Sequence, residues 1–207
     1  MQAARGASLI GDHEADPATR PRGSRRRLLA VFALVAATAY AVDVISKIVA
    51  VDRLTGRPDV QVVGDLLVLH LVRNPGAAFS TGTGYTQVFT CLAIAAVVVI
   101  CYLARRIGSL GWAIALGLLL AGVAGNLTDR LLREPALLRG HVIDFFMLPN
   151  WPVFNVADML INAAAVLILI QVFRGIRLDG TRTTDQTEDD TVDQADTSDA
   201  QPGERTE

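Results

Sequence analysis

Cysteine is nearly missing from this chain: its two copies, Cys91 and Cys101, fall within one apolar stretch, so neither a disulfide framework nor a zinc-ligand spacing can be drawn. There they read as small buried hydrophobes. A His-Glu-x-x-His motif is absent too, which removes the usual helical signature of a metallopeptidase. Negative charge is scarce wherever the chain is apolar. Residues 86–104 and 107–127 carry no charged side chain, and outside two polar tails only eight acidic residues occur: Asp43, Asp52, Asp59, Asp65, Asp129, Glu134, Asp144 and Asp158.

What is abundant is apolar surface. A chain of 207 residues that is 51% hydrophobic, with a mean hydropathy of +0.37, has room for one domain and suits a membrane better than a soluble core. The net charge of -2 conceals a lopsided distribution, because ten of the 21 acidic residues follow Leu178. Residues 177–207 therefore read as a disordered acidic tail that cannot bury enough surface to fold. Residues 1–27, rich in Arg, Gly, Ala and Pro and ending in Arg25, Arg26 and Arg27, read as a second disordered arm. The folding unit is expected to be 28–176.

Four segments, 28–51, 86–104, 107–127 and 153–173, each approach the roughly 20 residues that a helix needs to cross a bilayer. Four crossings put both termini on one side. Arg25 to Arg27, Arg105 and Arg106, and Arg174 and Arg177 all fall there, and by the positive-inside rule that side is cytoplasmic. Arg53, Arg57, Arg73, Arg130, Arg133 and Arg139 then lie outside, and the cluster at the first span is given the greater weight. A cleavable signal peptide ending near Ala39-Tyr40-Ala41 is the rival reading of the amino end. It loses because the apolar character resumes to Val51, and cleavage would put Arg105 and Arg106 on the wrong side.

Between the first two spans, Val60, Val62, Val68, His70 and Val72 alternate around Gly64-Asp65, which predicts a hairpin and a small sheet on the outer face. In the third span, Gly117, Ala121, Gly122 and Gly125 recur at helical spacing and predict a bare face for close helix packing.

A carboxylate at the centre of a span costs roughly 2.5 to 3.5 kcal/mol, so the acidic residues ask for reasons. Asp43, Ser46 and Lys47 share one face of the first helix, where Lys47 has a modest structural role as a partner for Asp43. Asn126 and Asp129, and again Asn155 and Asp158, stand three residues apart. Helix-end polarity accounts for Asn126 and Asp129, with Arg130 neutralising Asp129. Asp158 and Asp144 fit that account less well, being flanked by Ala157 and Met159-Leu160-Ile161 and by Val142-Ile143 and Phe145-Phe146. Two carboxyls brought together in such surroundings share a proton, and one can then act as base toward a water. The intervening Pro149-Asn150-Trp151-Pro152 is compatible with a turn back to the membrane. Spacing alone leaves open whether the two meet or are isolated structural aspartates.

Five blocks in register resolve that choice by resemblance: Asp43-Val44-Ile45-Ser46-Lys47, Asn74-Pro75-Gly76-Ala77-Ala78-Phe79-Ser80, Gly125-Asn126-Leu127-Thr128-Asp129-Arg130, His141-Val142-Ile143-Asp144-Phe145, and Phe154-Asn155-Val156-Ala157-Asp158. Together they closely resemble bacterial signal peptidase II, over about residues 42–162. The resemblance implies an all-α membrane protein of four transmembrane helices with a small extracytoplasmic β-sheet. It also implies an aspartic endopeptidase that removes the signal peptide from diacylglyceryl-modified prolipoproteins, cutting on the amino side of the lipidated cysteine. Carried over, Asp144 and Asp158 are catalytic, while Asp43, Asn74, Asn126, Asp129, Arg130 and Asn155 bind substrate or hold the pair. Pro75 stands where many relatives have Thr, Ile143 where Val is common, and Met159-Leu160 where small polar residues are frequent.

The expected setting is the bacterial cytoplasmic membrane, with both termini cytoplasmic and the active site at the outer face. Prolipoprotein and membrane lipid are the expected partners; no metal, cofactor, nucleic acid or obligate protein partner is expected. The rival class is a small transporter or proton-coupled subunit, which calls for midplane carboxylates and an internal repeat. A structural scaffold is the third reading.

Overall fold

A computed structural model describes residues 22–76 and 86–182. Four long apolar helices run through it: α1 (Arg22–Leu54), α2 (Thr86–Ala104), α3 (Leu110–Leu132) and α4 (Val156–Phe173). Three strands, β1 (Val60–Val63), β2 (Leu67–Asn74) and β3 (Val142–Met147), form one antiparallel sheet in the order β1-β2-β3. The expectations for residues 1–21 and 183–207, and Ala77, Ala78, Phe79 and Ser80 of the resemblance, lie outside the described residues.

Helix α3 is the centre of the bundle because its small residues let neighbours approach. A Cβ on Gly117 would stand 3.0 Å from the Phe32 carbonyl and Val35 of α1, and one on Gly122 would stand 2.6 Å from the Ala157 carbonyl of α4. The outward faces are aliphatic, with Leu34, Ile48, Val98, Leu92 and Val166 exposed, as surfaces that face acyl chains should be. Cys91 and Cys101 lie on such a face, exposed rather than buried, because α2 contributes only Thr86, Thr90, Ile100 and Ala104 to the interior.

Two boundaries differ from expectation. Arg25 to Arg27 belong to the first turns of α1 instead of a disordered arm, since arginine favours a helix and no Gly or Pro stands between Ser24 and Leu28. After α4 the chain turns back beneath the bundle: the Trp112 indole N–H donates to the Ile176 carbonyl at 2.9 Å, the Gly108 N–H donates to the Leu178 carbonyl at 2.9 Å, and Leu178 packs on the Ile100, Ile107 and Leu116 cluster. The expected end of the folding unit at 176 therefore falls inside a packed turn.

At the opposite end, the hairpin forms around Gly64, whose φ of +49° suits glycine. Strand β3 extends the sheet, pairing Val72 with Asp144 and Asn74 with Val142. Alternation along β3 turns Ile143 and Phe145 toward Ala50 and Leu54 of α1. Asp144 thereby takes the other face.

Candidate active site

The site lies where the carboxyl end of α1, the carboxyl end of α3, the amino end of α4 and the sheet meet. Between β3 and α4 the chain makes a tight return: the Trp151 N–H donates to the Leu148 carbonyl at 3.3 Å, Asn150 adopts a φ of +57°, and Phe154 bridges back to Phe146. This return brings Asn155 under Asp144, and the Asn155 amide N–H donates to Asp144 Oδ1 at 2.6 Å.

Asn155 is also the N-cap of α4, and with Asp158 it completes a capping box: the Asp158 N–H donates to Asn155 Oδ1 at 3.0 Å, and the Asn155 N–H donates to Asp158 Oδ2 at 3.1 Å. The other oxygen, Asp158 Oδ1, accepts from the Asn126 amide of α3 at 2.9 Å. One asparagine thus fixes both carboxyls. Asn74, at the end of β2, donates to Asp144 Oδ2 at 2.9 Å while its own Oδ1 accepts the Gly76 N–H at 3.0 Å, which holds the amide in one orientation.

Asp144 and Asp158 line the same open cavity of about 480 Å³, together with Asn74, Trp151, Met159 and Asn162. Every hydrogen bond described to these two carboxyls comes from a neutral amide or backbone N–H. Asp144 is 2% exposed, and burial pushes its carboxyl up to about 6, with the charge of Asp158 adding to the rise while the Asn74 and Asn155 amides and the more distant Lys47 oppose it.

Beneath the cavity lies a second acidic group of different character. Lys47, 1% exposed, places Nζ 2.9 Å from Asp43 Oδ2, 2.9 Å from Asp129 Oδ2 and 2.9 Å from Asn126 Oδ1. Asp43 Oδ1 accepts the Ala157 N–H at 2.8 Å, satisfying a free donor of the α4 amino end from across the bundle. Asp129 also pairs with Arg133 and accepts the Ile143 N–H at 3.3 Å.

All eight residues named from the sequence therefore converge, and three readings of them need correction. Lys47 is the hub between α1 and α3 and not merely a partner for Asp43. Asp129 is paired by Lys47 and Arg133, because the helical offset from Asp129 that meets its carboxylate is the i+4 position and not the adjacent Arg130. Asn126 and Asp129 do not serve as helix-end polarity, since α3 continues to Leu132 and their side chains bond to other elements; Asn155 alone of these caps a helix. Arg130 is half-buried within electrostatic range of Asp144, Asp158 and Asp129, and its Nε has no hydrogen-bond partner among the described residues. Sequence reasoning passed over Arg133. The cost of burying Asp129 so close to α3's interior was the available signal, since it called for more than one cation.

Four spans, a small sheet at one end of the bundle and two carboxyls opening on one cavity are the arrangement of a membrane-embedded aspartic peptidase. The comparisons with known proteins make the class particular. Residues 35–174 match the family model of signal peptidase (SPase) II. The chain is 44% identical over 171 residues to the lipoprotein signal peptidase of Streptomyces griseus subsp. griseus, covering 83% of this chain and 87% of that one. It is 47% identical over 162 residues to that of Streptomyces coelicolor, covering 78% of each. Two solved bacterial membrane enzymes share the fold, both with a TM-score of 0.61: one is 23% identical and covers 86% of this chain and 95% of its own, the other is 26% identical and covers 69% and 92%. The chain belongs to the signal peptidase II family of aspartic peptidases.

Proposed function

We propose that Asp144 and Asp158 are the catalytic pair with which this peptidase removes signal peptides from prolipoproteins, cutting on the amino side of a cysteine that carries diacylglycerol. The observation that carries the reading is that both carboxyls face one cavity and have no cationic hydrogen-bond partner among the described residues. Such a pair holds a single proton between them.

A water in the cavity attacks the scissile carbonyl as Asp158 takes its proton. Asp144, whose carboxyl burial pushes up to about 6, donates to the developing oxyanion. Collapse of the tetrahedral intermediate breaks the C–N bond. The proton held by Asp158 goes to the departing cysteine amine, and the oxyanion reforms the carboxyl group of the released signal peptide while Asp144 recovers its proton. Asn126 and Asn155 hold the pair, Asn74 orients Asp144, Asp43 and Asp129 brace the helix ends, and Arg130 offers a positive charge beside the substrate backbone.

The seven arginines Arg25 to Arg27, Arg105, Arg106, Arg174 and Arg177 gather at the bundle end opposite the cavity. Six others, Arg53, Arg57, Arg73, Arg130, Arg133 and Arg139, lie toward the cavity end. The cluster Arg25 to Arg27 at the first span carries the greater weight and supports cytoplasmic termini and a catalytic cavity at the outer face of the bacterial cytoplasmic membrane. A site at that depth suits a substrate whose acyl chains stay in lipid while its peptide bond is presented among headgroups. A transporter would place its carboxylates near the middle of the bilayer, whereas here Asp158 sits in the first turn of α4 and Asp144 on β3.

The test is processing of a diacylglyceryl-modified precursor in membranes by Asp144→Asn and Asp158→Asn proteins. Loss of processing with normal insertion is the expected outcome; wild-type rates from either variant refute the assignment.

A further inference from the structure

At the bundle end away from the catalytic cavity, the start of α1 and the α2–α3 turn enclose a cavity of about 440 Å³. Arg25, Arg105 and Arg106 line it, with Leu28 and Ile107 as its aliphatic wall and Asp179 at one side. Three guanidiniums face one carboxylate, and Asp179 Oδ1 is already engaged by the Thr181 N–H at 2.9 Å and hydroxyl at 2.7 Å.

Two of the arginines are held in place by the protein. The Arg25 guanidinium donates to the Arg105 carbonyl just beyond α2. Arg106 donates to the Tyr102 hydroxyl at 2.8 Å and lies over the ring at 5.2 Å from its centroid. Tyr102 is half-exposed, the position of an aromatic ring at headgroup depth. The wall continues directly into apolar bundle, since Leu28 and Ile107 belong to the cluster built on Ile100 and Leu116.

We infer that this cavity binds the phosphate headgroup of an anionic phospholipid. Guanidiniums match phosphate oxygens in paired hydrogen bonds, and basic pockets at the cytoplasmic ends of spanning helices are the setting in which such headgroups are recognised. The aliphatic wall decides for a lipid over a soluble phosphate. A glycerol backbone and the first methylenes of its acyl chains cover Leu28 and Ile107, which a free anion leaves against water. The site stands apart from the proposed dyad, at the other end of every helix, so its failure leaves the catalytic reading untouched.

The experiment is lipid retention by the full-length purified protein in detergent, read by native mass spectrometry during titration with phosphatidylglycerol or phosphatidylcholine. The wild type is expected to prefer phosphatidylglycerol by about tenfold. Arg105→Gln/Arg106→Gln should bring that preference near parity, and Arg105→Lys/Arg106→Lys should keep most of it. Both arginines are exposed, so the Gln variant is expected to fold; circular dichroism checks this, and Arg105→Gln alone replaces it if it does not. Equal retention of the two lipids by the wild type, or an undiminished preference in the folded Gln variant, overturns the inference. Displacement of phosphatidylglycerol by equimolar glycerol phosphate identifies a soluble-anion site and overturns it as well.

Discussion

Two pairs of carboxyls lie one above the other in this protein, with Asp43, Asp129 and Asp144 buried and Asp158 half-buried, and they differ in who answers them. Asp43 and Asp129 are met by cations, Lys47 between them and Arg133 beside Asp129. Among the described residues, Asp144 and Asp158 are met only by amides and backbone N–H groups, and they open on a cavity. Under the proposed assignment, identical functional groups take opposite roles. A carboxylate paired with cations is suited to bracing the fold, whereas one that opens on a cavity with neutral partners is suited to proton transfer. Asn126 joins the two layers, accepting from Lys47 at 2.9 Å and donating to Asp158 at 2.9 Å.

The comparison is broken most severely by neutralising the upper pair. Asp144→Asn or Asp158→Asn should lower kcat for precursor processing by about 10²- to 10⁴-fold, the usual worth of a positioned acid or base, with thermal stability nearly kept. Next is the lower pair, where Lys47→Met leaves Asp43 and Asp129 without their shared cation. A loss of about 3–5 kcal/mol of stability is expected, read by thermal unfolding in detergent, with activity falling through the fold. Adding Asp43→Asn to Lys47→Met should recover part of that stability and no such rescue should occur for Asp144→Asn. If the two asparagine substitutions rescue equally, the division into bracing and reacting carboxyls is wrong.

A subtler break is Gly125→Ala, because a Cβ at that position runs into the Asp43 carboxyl. Overpacking there should cost about 1–3 kcal/mol and lower activity by loosening the α4 amino end, where Asp43 accepts the Ala157 N–H. Gly56, with open space around its Cβ position, gives no comparable clash and differs only in its backbone, at a φ of +69°.

Much of this was legible from the chain alone, and the rest had a common cause. The second span was read at its true bounds, and the hairpin was read from alternation around Gly64, since both signals are local. Asp144 stood out because its apolar neighbours in sequence also desolvate it in space, and Asp158, half-buried, meets it at the same cavity. What could not be read was which distant element supplies a partner. Lys47 and Asn126 are 79 residues apart, and nothing local to either says that they touch. Asp129 looked like a helix-end residue because the apolar run stops at Leu127, yet α3 continues to Leu132 with its polar groups satisfied by α1 and β3. The third strand was missed since Val142-Ile143-Asp144-Phe145-Phe146 is nearly continuous in apolar character, and only pairing with β2 makes it a strand.

The smallest expected effect sharpens the comparison most, because it probes the proton itself. Asp144 must be protonated to donate to the oxyanion, so processing should decline as pH rises through the value near 6 to which burial lifts it. The Asn74 amide donates to Asp144 Oδ2 and favours the ionised carboxyl, working against burial. Removing that donor in Asn74→Ala therefore raises the pKa further, and the alkaline limb of kcat/KM should move upward, by up to about one pH unit for one charge-assisted hydrogen bond. The position of the limb is separate from its height, so any loss of substrate binding through Asn74 lowers the profile without shifting it. An alkaline limb that stays in place while the acidic limb moves upward would mean that Asp144 works as the ionised base, with the proton held on Asp158 instead.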